Sequence, residues 1–284
     1  MFPEKFEYMA PHTLDEASKY LKDHEDAKIL AGGQSLIPLL KLRFTSIPEI
    51  IDIGNIKGID AIEEKDGKIE IGCMARTADL IVNPLIRSKL GIIADAASQI
   101  ADPLVRNRGT IGGDICHGDP ANDFPACMLA LNAEFQIFTP GGTKSIKAED
   151  FFTDTFTVAL EPGEILEKIV IPENNLTGRY LKYKKYAGDF SILGIAVAIK
   201  FNGKNAVMAG IGLTNCGATA IKAKDAENFI AGKELNDSNI DAAADLLVKS
   251  AEFFDDGNGT ASFKEKFLKH LFVKAAKEIR GGNQ

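Results

Sequence analysis

The sequence predicts an α+β protein: two α/β subdomains over about residues 1–56 and 57–175, then a C-terminal domain over 176–284 in which helices cover a small antiparallel sheet. Three observations predict it. Strand-like and helix-like runs alternate as far as Ile56. An Asp66-Gly67 turn then switches the pattern to hairpin pairing. Beyond the polar link Glu173-Asn174-Asn175, strand-like runs give way to a helical tail.

Taken in order, Thr13 and Glu16 have capping-box spacing, and Leu14, Ala17 and Leu21 share one helical face, which predicts a first helix. Ala27–Ala31 reads as a buried strand. It runs into Gly32-Gly33-Gln34-Ser35, and Leu36–Leu42 reads as a helix that tolerates Pro38 in its first turn. Glu49–Ile53 is a second strand. Residues 60–64 and 68–72 flank the Asp66-Gly67 hairpin, Thr77–Ile81 opens a helix, and Leu90–Ile100 forms another that Asp102-Pro103 stops. After a glycine-rich segment, Phe124–Leu131 is an apolar helix. Glu134–Phe138 and Thr143–Ile146 pair around Pro140-Gly141-Gly142, and Glu164–Pro172 is a strand. Gly178–Lys185, Ile192–Phe201 and Asn205–Ile211 read as strands, and Thr219–Ala231, Ile240–Phe253 and Ala261–Ile279 as helices.

With 284 residues, 45% of them hydrophobic, the chain can bury a large core. A net charge of -7 without a Lys/Arg-rich block excludes a nucleic-acid footprint, and no apolar run is long enough to span a bilayer. Met1-Phe2-Pro3-Glu4-Lys5 has neither the basic nor the apolar region of a secretory signal, so the expected compartment is the cytoplasm. Cys73, Cys116, Cys127 and Cys216 form no C-x-x-C pair, which argues against a disulfide framework or structural zinc. Cys116, His117 and Cys127 are too few for a complete metal site, and small buried thiols are common. No Ser/His/Asp grouping is legible around His12, His24, His117 or His270.

Two segments carry the chemistry. Arg108-Gly109-Thr110-Ile111-Gly112-Gly113-Asp114, followed by Gly118-Asp119-Pro120-Ala121-Asn122-Asp123, is a glycine-rich turn with a hydroxyl inside it and carboxylates beyond. Gly32-Gly33-Gln34-Ser35 lies between a strand and a helix start. Either could be a plain chain reversal. Each can also turn backbone N–H groups toward a phosphate, because glycine permits tight concave backbone and close approach. Two such segments in one domain suit the two phosphates of a dinucleotide. Neither is G-x-G-x-x-G, Gly210-Ile211-Gly212 lacks the third glycine and sits in a hairpin, and no Walker loop is present.

Ala31-Gly32-Gly33-Gln34-Ser35-Leu36 with Lys41-Leu42-Arg43, and Val105-Arg106-Asn107-Arg108-Gly109-Thr110-Ile111-Gly112-Gly113 with Asp119-Pro120 and Asp123, resemble the FAD-binding medium subunit of molybdenum hydroxylases. That family includes the flavin subunits of xanthine dehydrogenases, aldehyde oxidoreductases and aerobic carbon monoxide dehydrogenases. The likeness runs through Tyr180–Asp189 and the helical tail. It implies an FAD-binding fold of the vanillyl-alcohol-oxidase (PCMH) type with a C-terminal domain of the carbon monoxide dehydrogenase flavoprotein type. The cofactor-binding residues implied are Leu30, Ala31, Gly32, Gly33, Gln34, Ser35, Leu36, Ile100, Thr110, Ile111, Gly112, Gly113, Asp114, Asp123, Ile165, Leu166, Lys182 and Phe190. Ala31–Leu36 and Thr110–Asp114 would bind the pyrophosphate, and Asp123 a hydroxyl of the nucleotide half. Ile165 or Leu166 would lie against the cofactor, Lys182 would reach the flavin, and Phe190 would sit beside it. Plain core packing for the apolar three and a solvated strand face for Lys182 are the competing readings.

Two residues depart from the family pattern. Gln34 stands where many relatives carry histidine, so FAD is expected to be non-covalent. Asp114 replaces a commoner asparagine and puts a carboxylate in an anion-binding segment, tolerable only if it points away from phosphate or caps backbone amides. The long cysteine-bearing insertion of one family branch is also missing. The resemblance further implies a large molybdopterin-binding subunit that holds the molybdenum cofactor, a small subunit with 2Fe-2S clusters, and an external electron acceptor. This chain would be the electron exit, with no catalytic residue or metal of its own. A standalone flavin-dependent oxidoreductase of the same fold is the alternative, disfavoured by the bland helical C-terminal domain. A nucleotide-binding scaffold without flavin is a third reading.

Overall fold

The α+β class expected from the pattern is the one observed in the computed structural model, which describes residues 2–282. Met1, where the leader reading and the first expected domain begin, and residues 283 and 284, where the second ends, lie outside the described residues. Three sheets carry the fold. The first is parallel, with Glu49–Asp52 between Glu7–Met9 and Ala27–Leu30. Its first crossover is the helix Leu14–Asp23, whose N-terminus is held by the Thr13 hydroxyl accepting from the Glu16 N–H at 3.2 Å.

The second sheet is antiparallel, in the order Ile62–Lys65, Lys68–Gly72, Ile165–Pro172, Glu134–Thr139, Gly142–Lys147. Ile69 and Ile71, Phe135 and Ile137, and Ile169 and Ile171 are all buried, so the two-residue period of each strand turns one face into a common core. The third sheet runs Thr177–Tyr183, Leu193–Asn202, Asn205–Thr214, Ile221–Lys222, with Lys233–Glu234 on the far end of Asn205–Thr214. Its central strand is covered on both faces. Tyr180, Ala196 and Ala198 join the core of the N-terminal half, while Ile195, Val197 and Ile199 pack with the helices Lys224–Ile230, Asp237–Leu247 and Ala261–Gly282. That is why Leu193–Ile199 is an unbroken apolar run.

The wholly buried helix Phe124–Ala130 joins the halves, packing on strands Leu193–Asn202 and Asn205–Thr214. A Cβ at Gly210 would fall on the Ala130 carbonyl and one at Gly212 on the Ala126 carbonyl. These glycines exist for close approach of helix to strand, which accounts for the Gly210-Ile211-Gly212 pattern without a ligand.

Several elements differ from expectation. Thr219–Ala231 is not one helix: Ile221–Lys222 pairs as an edge strand, the Ala223 N–H donates to the Ile211 carbonyl at 3.0 Å, and the helix is Lys224–Ile230. Ile240–Phe253 instead runs Asp237–Leu247, begun by an Asn236 cap and ended by a short 3₁₀ turn, Val248–Ser250. Asp102 does stop one helix, but its Oδ1 also accepts from the Leu104 and Val105 N–H groups and starts another, Pro103–Arg106. The edge strand Glu7–Met9, the Asn83-capped helix Pro84–Lys89 and the ribbon Phe152–Asp154 with Thr157–Val158 were not foreseen. All three are short, and pairing or capping rather than periodicity defines them.

Candidate functional site

The two glycine segments meet backbone to backbone. A Cβ on Gly32 would fall on the Arg108 carbonyl oxygen and one on Gly113 would lie 3.5 Å from the Ala31 Cβ. The Gln34 side chain reaches back to the Gly32 carbonyl at 3.2 Å. Gly33 has φ +72°, a left-handed turn that an L side chain would strain. In this conformation the N–H groups of Gly32, Gly33, Gln34, Ser35 and Leu36 have no acceptor among the described residues. Five neighbouring free donors at one turn make an anion cradle.

The second segment is different from what was expected. It is the first turn of the helix Ile111–His117, with Thr110 as its N-cap, and neither Gly112 nor Gly113 has positive φ. Its donors are already engaged. Gly112 donates to the Cys73 carbonyl at 2.9 Å, Gly113 to the Thr110 hydroxyl oxygen at 3.2 Å, and Ile111 to the Ala75 carbonyl at 3.0 Å. Gly112 is glycine because a Cβ would meet the Cys73 backbone. What this segment offers an anion is the Thr110 O–H and N–H.

Next to it lies a buried polar cluster. Asp123, 4% exposed, accepts from the Tyr180 hydroxyl at 2.5 Å and the Ser191 hydroxyl at 2.6 Å through Oδ1, and from Lys182 Nζ at 2.8 Å through Oδ2. The Lys182 side chain is 1% exposed, so it is a buried ion-pair partner rather than part of a solvated strand face. Burial and then the neighbouring Asp123 charge push the Tyr180 phenol well up, keeping it a proton donor. The cluster fastens the start of the helix Phe124–Ala130 to the third sheet. Tyr180, Ser191 and Thr214 were missed in the sequence because a single hydroxyl carries no local signal and their partners are distant: Asp123 lies 57 positions from Tyr180 and 68 from Ser191, and Tyr180 lies 34 from Thr214.

Asp114 is the unusual member. Its Oδ1 is covered and has no partner among the described residues, although the residue as a whole is only partly buried. Burial first, then the charges of Asp123 and Asp119, raise its carboxyl well above the ordinary range; Lys182 and the Phe124 N–H oppose this and do not prevail. The neutral form of Asp114 is thus favoured relative to a solvent-exposed carboxyl. A carboxyl raised on folding contributes stability that is present below the unfolded pKa of about 4 and is lost as pH rises through the folded value. The apoprotein is expected to lose thermal stability as pH rises above about 4, and Asp114→Asn to flatten that decline in melts recorded across pH. An unchanged slope in the variant would contradict this assignment.

The remaining expected residues scatter. Leu30 and Leu36 pack around Leu40, Ile47 and Ile50 beneath the first cradle. Ile165 and Leu166 are 2% and 3% exposed within the main core. Ile100 closes the helix Gly91–Gln99, and its carbonyl accepts from Arg106 Nη1 at 2.7 Å. The segment leading to Phe190 passes over this corner, with Gly188 against Ala101 and Lys184 Nζ donating to the Gln99 carbonyl at 3.3 Å. Phe190 itself is 65% exposed and Tyr186 73%, so neither is core. Burial pushes the Cys116 thiol up to about 12 and the Cys127 thiol well up, which makes both poor thiolates. Among the described residues no three His, Cys, Asp or Glu side chains converge as a metal site.

Comparison with known proteins covers nearly the whole chain. Residues 4–174 match the family model for the FAD binding domain in molybdopterin dehydrogenase, and residues 179–279 that for the CO dehydrogenase flavoprotein C-terminal domain. The chain is 39% identical over 278 residues to the carbon monoxide dehydrogenase medium chain of Hydrogenophaga pseudoflava, covering 97% of each. It is 34% identical to the glyceraldehyde dehydrogenase medium chain of Sulfolobus acidocaldarius, covering 98% of this chain and all of that one. Among solved structures, carbon monoxide dehydrogenase from Hydrogenophaga pseudoflava lacking the Mo-pyranopterin moiety superposes with a TM-score of 0.94 at 38% identity, covering 98% of each chain. Quinoline 2-oxidoreductase from Pseudomonas putida 86 gives 0.94 at 29% identity, covering 100% of this chain and 99% of that one.

Proposed function

The chain belongs to the FAD-binding medium subunits of the molybdenum hydroxylase family, and from that premise we propose that it holds FAD non-covalently between the Gly32 and Thr110 segments and serves as the electron exit of a three-subunit complex. A large molybdopterin-binding subunit and a small 2Fe-2S subunit are the proposed partners, with an external acceptor beyond the flavin and the cytoplasm as compartment. No helix among the described residues is long and apolar enough to cross a membrane.

The observation that carries the reading is the row of five N–H groups from Gly32 to Leu36 without an acceptor among the described residues, at a turn that packs on the Arg108–Gly109 backbone just before Thr110. It fits a pyrophosphate: the donors are left without protein acceptors at a turn in which Gly33 takes φ +72°. FAD, when bound, supplies a carrier that takes and gives electrons singly or in pairs. This chain's part is to hold it and leave a route open. The Asp123–Lys182 pair locks the third sheet onto the cradle-bearing half, so the strand carrying Lys182 keeps a fixed distance from the pyrophosphate donors. The exposed Tyr186 and Phe190 sit on the segment that runs over Ile100 and Ala101, at the edge of the same region, where a ring can flank a flat ligand. In this conformation Asp123 already has three donors, and a ligand hydroxyl would be a fourth.

The cheapest test is a spectrum. The isolated protein reconstituted with FAD is expected to be yellow, and acid precipitation is expected to release all the flavin, since Gln34 offers no nucleophilic ring nitrogen. A colourless protein after reconstitution would refute the FAD reading, and flavin left in the pellet would refute non-covalent binding. Expression with its native neighbours is expected to yield a complex containing molybdenum and iron; a protein that runs alone and oxidises a small substrate would overturn the subunit assignment.

A further inference from the structure

A non-glycine residue in the left-handed region stays there only where its surroundings hold it. Ala101 is such a residue, with φ +41°. What holds it is the half-buried Arg106, whose Nη1 donates to the Ile100 carbonyl at 2.7 Å and to the Ala101 carbonyl at 3.1 Å. Neither carbonyl has another donor among the described residues. Resting on the FAD reading above, we propose that Arg106 is a positioning residue for the flavin: it fixes the Ile100–Ala101 corner, and the corner seats the ring end of the cofactor relative to the pyrophosphate cradle.

The direction of the contact is what separates this from ordinary capping. Arg106 lies in the last turn of the helix Pro103–Arg106, where a basic side chain commonly serves the carbonyls of its own C-terminus. Its guanidinium instead reaches back past the start of that helix, to carbonyls that precede the Asp102 cap. The corner is also tied to the cradle. Asp102 Oδ1 accepts from the Leu104 and Val105 N–H groups at 2.7 and 3.0 Å, and the Val105 carbonyl accepts from the Arg108 and Gly109 N–H groups at 3.1 and 2.7 Å. Arg108 and Gly109 are the backbone on which Gly32 packs, so a run of hydrogen bonds joins corner to cradle with little slack. On its other side the corner supports the segment that carries Tyr186 and Phe190. A Cβ at Gly188, where φ is +89°, would lie 3.6 Å from the Ala101 carbonyl, and Lys184 Nζ donates to the Gln99 carbonyl at 3.3 Å. Opening the clasp frees Ala101 to leave the left-handed region and shifts this shelf. The Gly32 turn, at the far end of the run, keeps its own contacts. The effect therefore falls on the ring half of FAD and spares its ADP half.

The experiment compares FAD with ADP, which keeps the pyrophosphate and lacks the flavin ring, in equilibrium binding to the full-chain apoprotein. The proteins are the wild type, Arg106→Met, and Arg106→Met combined with Ala101→Gly. FAD binding is read by flavin fluorescence and by the visible circular dichroism of the bound flavin, and ADP binding by calorimetry. Arg106→Met is expected to weaken FAD about tenfold, the population cost of leaving a left-handed alanine unheld, and to change the flavin dichroism while ADP affinity stays the same. Adding Ala101→Gly should bring FAD affinity back to within about threefold of the wild type, because glycine takes the left-handed turn without strain. Equal weakening of FAD and ADP would make Arg106 a general structural residue and overturns the proposal, as does unchanged FAD affinity and dichroism in Arg106→Met. A double variant no better than the single one also overturns it, since Arg106 would then not act through the corner. If Arg106→Met does not fold, the double variant decides: a ratio of FAD to ADP affinity within about threefold of the wild type supports the proposal, and a ratio about tenfold lower overturns it. A wild type that binds neither ligand removes the FAD reading itself, and this proposal with it.

Discussion

Asp123→Ala is expected to cost about 3–5 kcal/mol of folding stability, read as a lowered urea midpoint at unchanged slope. The carboxylate is 4% exposed and receives Tyr180, Ser191 and Lys182 at 2.5, 2.6 and 2.8 Å. Removing it strands a lysine whose side chain is 1% exposed and two hydroxyls that have lost their acceptor. The unpaired ammonium dominates that sum, because a buried charge without a partner has neither water nor counter-ion. The double variant Asp123→Leu with Lys182→Met should therefore recover most of the loss, since apolar groups of similar size need no partners. It should not recover tight FAD binding if the pair also holds the third sheet against the cofactor site. A single variant that costs less than about 1 kcal/mol would mean that the cluster is solvated and not the clasp described here.

Gly32→Val is expected to weaken FAD binding about a hundredfold or more, as the loss of two charge-assisted hydrogen bonds to the pyrophosphate would. The reason is geometric. The added Cβ falls on the Arg108 carbonyl oxygen, and backbone cannot yield as the end of a flexible side chain can. The two segments must separate, which redirects the free N–H groups from Gly32 to Leu36. Because the turn lies at the surface of the first sheet, the apoprotein should fold with a loss of only about 1–3 kcal/mol, the usual cost of local overpacking. Gly91→Ala is the control, since a Cβ there meets nothing within 4 Å and FAD affinity should be unchanged. Gly113→Val is the less clean experiment. Its side chain would press on the Thr110 Oγ1 at 2.9 Å and disturb the helix cap together with the ligand site. Normal FAD affinity in Gly32→Val would remove the cradle from the site.

How much was legible follows from the range of each interaction. The Thr13 cap, the Asp66-Gly67 hairpin, the strand Ile165–Pro172 and the Gly32–Ser35 turn were readable because their causes lie within a few residues. The helical tail was readable as helix but not in its limits, since Ile221–Lys222 was claimed by a strand edge. Gly112 and Gly113 were read as an N–H cradle on composition. The structure instead spends their donors on Cys73 and Thr110, and Cys73 belongs to a segment nearly forty positions earlier in the chain. Whether Lys182 faced solvent or a carboxylate could not be told from its own strand; the structure pairs it with Asp123.

The sequence by itself determined that this chain folds as an α+β protein with a glycine turn between a strand and a helix at Gly32–Ser35, because turn chemistry and periodicity act over short stretches. Only the tertiary structure decided which turn keeps free donors, that Asp123 binds Lys182 across 59 positions, and that Asp114 Oδ1 is buried without a partner among the described residues. Those outcomes depend on which distant groups burial brings together and which it leaves without a partner, and no local pattern encodes either.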